Sequence, residues 1–191
     1  FVILLTNGQN IWLALACSLL AGMLAGLATG IFHVFFGIST ILAGILTQFA
    51  LWAVNLLIMG RPNVAISVNN YNLIVSLRYL QEVIKGEKPF YWSPIFTVGI
   101  FILLIIGILY WYFGTESGMS IRATGANINM AKAQGINTSF NIVLGLMIAN
   151  GLVALSGAIL TQYQGFADIS SGIGIVVVGL ASVIIGEVVF G

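Results

Sequence analysis

Long apolar segments alternate with short polar segments along the 191 residues of the chain. Five apolar segments reach roughly the length, about 20 residues, that a helix needs to cross the hydrocarbon core of a bilayer. The predicted spans are Ile11 to Phe35, Ile38 to Met59, Ile95 to Phe113, Ile142 to Gln162 and Ile173 to Phe190. Of the charged residues, only Glu187 lies within these segments. Because a charge at a helix centre costs about 2.5 to 3.5 kcal/mol on insertion, the pattern predicts an all-α, polytopic transmembrane helical bundle of about five spans.

The composition excludes several classes of protein. Hydrophobic residues make up 60% of the chain and charged residues 6%, against about 25% charged residues in a soluble domain. The chain is therefore neither a soluble globular domain nor a disordered one. A net charge of +1 offers no basic surface, so we expect no nucleic acid as a partner. With one Cys and one His, we expect no metal site and no cofactor.

The organisation of the chain is that of one transmembrane domain over residues 1–191. We expect a fragment, because the chain begins without Met and ends beside an apolar run. Two loops are long, residues 60–94 and 114–141. In the first, apolar residues at helical spacing predict a short amphipathic helix, either on the membrane surface or packed against the bundle. These apolar residues are Leu73, Leu77, Leu80 and Ile84.

Small residues recur every four positions along the first span, at Ser18, Gly22, Gly26 and Gly30. Such a stripe lets another helix approach closely, so it predicts a helix-packing surface. A solute passage also needs close packing around it, so the stripe does not distinguish the two roles.

Polar residues inside the spans offer a second candidate feature, because each costs energy unless it faces protein or water. Gln48 and Asn55 share one face of the second span with Trp52, and Asn150 lies in the middle of the fourth. These residues either line a polar pathway or form hydrogen bonds between helices. Glu187 is either a functional intramembrane carboxylate, and so part of that pathway, or a residue at a helix end near water.

The 114–141 loop predicts one short helix from Ile128 to Gln134. Gly125 is expected to interrupt the chain before it, Asn127 to cap its start, and Gly135 to end it. A helix this short is marginal alone, so we expect it to dock on something. Its small side chains suit insertion into a groove of another protein; they are Ala126, Ala131 and Ala133.

The same loop resembles the cytoplasmic coupling region of ABC-transporter permeases for branched-chain amino acids, ribose and related solutes. The similar residues are Arg122-Ala123, Gly125, Met130-Ala131 and Gly135-Ile136-Asn137. Leu155 to Leu160 and Gly165 to Gly172 resemble later parts of the family. Ile58 to Asn63 is similar to a branch that imports tryptophan or similar amino acids.

The resemblance implies an all-α permease subunit of an ABC importer in the bacterial cell (inner) membrane, which passes an amino acid. It implies an ATPase subunit, an extracytoplasmic solute-binding protein and a second permease copy, identical or different, as partners beside the lipid bilayer. It assigns ATPase coupling to Arg122, Gly125, Asn127, Met130, Ala131, Lys132, Gly135 and Ile136. It also places 114–141 in the cytoplasm and 60–94 outside. The outer segment would then carry four Lys or Arg and the cytoplasmic segment two, which is opposite to the positive-inside rule.

Two other functions compete with this interpretation. A secondary transporter or channel would work without an ATPase, but it normally carries more buried ionisable residues. An intramembrane enzyme would need paired catalytic groups, and the sequence has no phosphate-binding loop, HExxH or GxSxG motif. We therefore expect that the chain is not an enzyme.

Overall fold

The computed structural model describes residues 1–66, 94–172 and 175–190. The amphipathic helix predicted within 60–94 lies outside these residues. The helices, with a 3₁₀ turn at Ile169–Gly172, are α1 Val2–Thr6, α2 Ile11–Phe36, α3 Thr40–Met59, α4 Pro94–Phe113, α5 Glu116–Ala126, α6 Ile128–Ala133, α7 Thr138–Gln164 and α8 Ile175–Phe190. The prediction of an all-α polytopic bundle is confirmed, with most predicted span ends within a few residues of the observed ones.

The antiparallel pair α2 and α7 forms the centre of the fold. Gly22 lies beside Asn150 and Gly151 of α7, and Gly30 lies beside Val143. Gly22, Gly26 and Gly30 are all buried, because the two backbones approach too closely for side chains there. A Cβ added at Gly26 would lie 2.7 Å from Met147 Cα and closer still to the Leu146 carbonyl oxygen. The predicted small-residue stripe therefore lies along this contact.

Helix α3 returns alongside α2 after a turn at Gly37, whose φ of 66° is a left-handed conformation that glycine adopts without strain. A buried hydrogen bond of 3.0 Å joins the two helices, from the Thr29 hydroxyl to the Thr47 hydroxyl oxygen. The Thr47 hydroxyl donates in turn to the Ala43 carbonyl at 2.9 Å. These bonds attach α3 to the central pair at mid-helix.

The 114–141 segment contains two helices where the sequence predicted one. Helix α5 bends away from α4 by 84°, and Thr115 caps it by accepting a hydrogen bond from the Gly118 amide at 3.3 Å. Gly118 is buried against the carbonyl of Tyr112, so the bend is tightly packed. The second helix, α6, follows after Asn127. The sequence missed α5 because its polar composition resembles that of a loop.

A small two-stranded sheet adds to the helices. Strand β1, Asn63–Ala65, pairs antiparallel with β2, Phe166–Asp168. Ile66 beside it is buried with Val2 and Leu5 of α1. Since β1 follows α3 and β2 follows α7, the sheet marks the end of the bundle at which these helices finish. Helices α5 and α6 precede α7 and so lie at the opposite end.

Three or four helices of the described part are candidate membrane spans. Within the described ranges, α2, α3 and α7 are long and apolar enough to cross a membrane, and α4 joins them if it counts together with the bent α5. The fifth predicted span corresponds to α8, which covers 16 described residues. The structure thus has three or four candidate spans in its described part, against about five expected from the sequence.

Candidate functional site

An open cleft of about 570 Å³ lies beside α3. Its wall residues come from α2, α3, α7 and the 3₁₀ turn. They are Thr29, Thr40, Ile41, Gly44, Ile45, Thr47, Gln48, Leu51, Trp52, Asn55, Leu146, Asn150, Val153, Ile169 and Gly172. The α3 residues run from Thr40 to Asn55, about 22 Å along the helix axis. The cleft therefore extends along most of the length of α3.

Three of the four intramembrane polar residues singled out in the sequence line this cleft. Gln48 and Asn55 reach it from α3, and Asn150 reaches it from α7. The Asn150 amide donates to the Leu146 carbonyl at 2.9 Å, which uses one of its two amide hydrogens. Among the described residues that line the cleft, none is charged. The arrangement offers hydrogen-bond donors and acceptors with no net charge to a molecule inside it.

Glu187 is not part of this cleft. It is exposed on α8, among exposed apolar residues such as Ile184 and Val188. The structure therefore does not bring the one acidic residue of the predicted spans together with the three amides.

Sequence reasoning missed the threonines of the cleft. Thr29 and Thr47 line it, although each is more than nine-tenths buried and hydrogen-bonded to the other. Thr40 adds a third hydroxyl near the start of α3. A signal was present, because Thr40 and Thr47 are seven residues apart, or about two helical turns, next to Gln48. Threonines within spans commonly serve in helix packing, so their position alone did not indicate a role in lining a cleft.

The second candidate feature is the surface of α6 at the other end of α7. Asn127 caps α6, since its side-chain oxygen accepts a hydrogen bond from the Met130 amide at 3.0 Å. Gly135 follows the helix with φ of 78°. Met130 is 60% exposed and Ile128 is 45% exposed. Both apolar side chains are accessible on this short helix, and Lys132 is exposed as well.

The other predicted coupling residues differ in their exposure. Ala131 is only 2% exposed, so its methyl group packs inside this chain rather than projecting toward another protein, as the sequence suggested. Gly125 lies within α5, and the interruption falls at Asn127 instead. Arg122 is exposed on α5, and Ile136 is half-buried after Gly135. Of the predicted coupling residues, Ala131 is therefore buried and the others are exposed or half-buried.

Helix α5 is attached to α7 by a buried hydrogen bond. The Asn141 amide donates to the Thr124 hydroxyl oxygen at 3.1 Å, and both residues are more than nine-tenths buried. The Thr124 hydroxyl donates to the Ser120 carbonyl at 2.8 Å. These bonds join α5 to α7, the helix that also lines the cleft.

Comparison with known proteins gives a family and several relatives. A family model described as the permease component of branched-chain amino acid transport systems matches residues 1–191. A tyrosine transport system permease protein of Clostridioides difficile (strain R20291) is 39% identical over 97% of this chain and 58% of its own length. An uncharacterised protein of Rickettsia prowazekii (strain Madrid E) is 37% identical over 80% of this chain and 50% of its own. The autoinducer 2 import system permease protein of Salmonella choleraesuis (strain SC-B67) is 22% identical over 97% and 50%.

The chain thus spans about half the length of the curated relatives it matches. No solved structure matches it significantly.

Proposed function

Because the chain belongs to the family of permease components of branched-chain amino acid transport systems, we propose that it forms part of the solute path of an ABC importer. The observation that carries the proposal is the 22 Å length, by helix rise, of the α3 face that lines the cleft. Membership confirms the resemblance read from the sequence. The family and the apolar helices place the chain in the bacterial cell (inner) membrane as a multi-pass protein.

The proposed solute is an amino acid. The tyrosine transport permease is a relative over nearly the whole chain. The cleft supports the same solute class, because the amides of Gln48, Asn55 and Asn150 suit a small polar molecule that carries no net charge. Backbone and amide groups of this kind commonly fix the orientation of a ligand in an otherwise apolar pocket.

The energy for transport is proposed to come from a separate ATPase subunit, and the chain itself to catalyse no reaction. The docking patch is the exposed surface of α6, which includes Met130, and the Asn141–Thr124 bond transmits the displacement to α7. A bound ATPase thereby shifts the bundle between two packings, which is how differential binding changes a conformational equilibrium. An extracytoplasmic solute-binding protein and a second permease copy complete the importer.

Reconstitution tests this function. The full-length permease is placed in liposomes with its ATPase and binding protein, and uptake of labelled tyrosine is followed with and without ATP. We expect uptake that requires ATP and both partner subunits. Uptake that proceeds unchanged without the ATPase would contradict the proposal and favour a secondary transporter or channel.

The docking patch has a direct test in Met130→Glu, which places a charge in an apolar contact. We expect ATP-driven uptake and ATPase co-purification to fall about tenfold or more, as for an interface residue of high contribution. Met119→Glu is the matched control, since Met119 is 53% exposed on neighbouring α5 and should leave both unchanged. If the Met130→Glu variant reaches normal abundance in the membrane and still co-purifies with the ATPase, the proposed contact between α6 and the ATPase is wrong.

A further inference from the structure

Trp52 stands in the cleft between two amides. It lies one turn after Gln48 and three residues before Asn55 on α3, and all three line the cavity. On the α7 wall the arrangement is reversed, with the amide of Asn150 between the apolar residues Leu146 and Val153. Residues three and four apart on a helix are surface neighbours about 5 to 6 Å apart. Each wall therefore places apolar or aromatic surface directly beside an amide.

The ring of Trp52 is accessible. The residue is 40% exposed in the interior of α3, whereas tryptophans of membrane proteins concentrate at the two interfaces with water. An indole within a span is amphipathic, because its face is apolar and its N–H is a donor. A cleft lined by both apolar side chains and amides accommodates both parts.

We propose that Trp52 determines the specificity of the cleft, by packing its indole against the aromatic side chain of an amino-acid solute. The amides of Gln48, Asn55 and Asn150 hydrogen-bond the ammonium and carboxylate groups of the same molecule. Amides supply donors and acceptors without net charge, which complements a zwitterion whose two charges cancel. Aromatic pairs add attraction beyond the area they bury. This inference rests on the proposed transport function and names its solute class as aromatic amino acids.

The test compares two solutes in one preparation. Uptake of labelled tyrosine and of labelled leucine is measured in liposomes that contain the full-length permease, its ATPase and its binding protein. We expect Trp52→Ala to raise the tyrosine concentration for half-maximal uptake about fivefold, by loss of the ring contact. The value for leucine should change less than about twofold, because leucine has no ring to stack. Trp52→Phe keeps an aromatic face and should restore tyrosine uptake.

A matched control is Trp12→Ala on α2. Trp12 is 63% exposed and is not among the residues of the cleft, so both solutes should be taken up normally. The amount of each variant in the membrane is measured in parallel, so that a loss of folded protein is recognised.

Three outcomes separate the two proposals. An unchanged ratio of tyrosine to leucine half-saturation in Trp52→Ala, with normal uptake, overturns only this inference. An equal loss for both solutes, not restored by Trp52→Phe, overturns it as well and assigns Trp52 a packing role. Absence of ATP-dependent uptake of either solute by the unaltered complex contradicts the proposed function and, with it, this inference.

Discussion

At the residue scale, the contact between α2 and α7 depends on the missing side chains of glycines. Gly22 and Gly26 allow backbone atoms of the two helices to touch, where dispersion forces and weak Cα–H contacts accumulate. Gly157 on the outside of α7 is different, since a Cβ added there meets nothing within 4 Å. A larger side chain is therefore expected to clash at Gly26 and to be accommodated at Gly157.

We predict that Gly26→Ala destabilises the folded protein by about 2 kcal/mol, because its new methyl group forces the helices apart. Gly157→Ala is the control and should be neutral or stabilising by up to about 1 kcal/mol, from the better helix propensity of alanine. Thermal unfolding of the full-length protein in detergent measures both. Equal unfolding temperatures for the two variants would show that the glycine contact contributes nothing to stability.

At the element scale, α5 and α6 form a unit attached to the start of α7. The attachment is polar and specific, through Asn141 and Thr124, in addition to the cap at Asn137, whose side-chain oxygen accepts a hydrogen bond from the Phe140 amide at 3.1 Å. Short helices have little stability alone. The buried hydrogen bond is thus the feature that we expect to hold α5 and α6 in place on α7.

We predict that Asn141→Ala loosens this unit. Removing one partner of a buried hydrogen bond costs about 1 kcal/mol or somewhat more, so backbone hydrogen exchange over residues 116–133 should accelerate severalfold while α2 stays protected. Thr124→Val should have the same effect. The loss of stability in the double variant should be smaller than the sum of the losses in the two single variants, because both changes remove the same hydrogen bond.

Thr161→Val serves as the control for these substitutions, since the Thr161 hydroxyl donates to the Gly157 carbonyl of its own helix at 2.8 Å. Exchange over 116–133 should not respond to it. Unchanged exchange in Asn141→Ala would mean that other contacts hold α5 and α6 on α7.

At the scale of the whole molecule, the two ends of the bundle carry different features. The sheet and Arg61 are at one end, and α5 and α6 with Lys132 are at the other. The side on which each lies follows from the proposed contact between α6 and a cytoplasmic ATPase. The charge count of the two loops favours the reverse orientation, by four Lys or Arg against two. A difference of two residues is a weak determinant of orientation.

Labelling with a membrane-impermeant maleimide tests the orientation, in a full-length protein from which other cysteines have been removed. Arg61→Cys should react in intact cells, and Lys132→Cys only after the membrane has been permeabilised. Both positions are exposed, so access to water is matched. The opposite pattern of reactivity would invert the topology and exclude α6 as a contact for a cytoplasmic ATPase.

The amino-acid sequence by itself determined the class of the protein. The length of each apolar segment and its lack of charge are local properties of the sequence, and they decide whether a helix is stable in a bilayer. It also determined the start and end of α6, since Asn127 and Gly135 act through their own backbone neighbourhood. The small-residue stripe of α2 was also recognisable in the sequence. The sequence did not indicate that α7 is the helix packed against it.

Only the tertiary structure decided which polar residues line the same cleft. Gln48 and Asn150 are about a hundred residues apart in sequence, and no local signal says that α3 and α7 share a cleft or that Glu187 stays outside it. It likewise decided that Ala131 points inward, which depends on how α6 docks. Such pairings arise from the packing of whole helices, where ridges, glycines and single hydrogen bonds fix the geometry together.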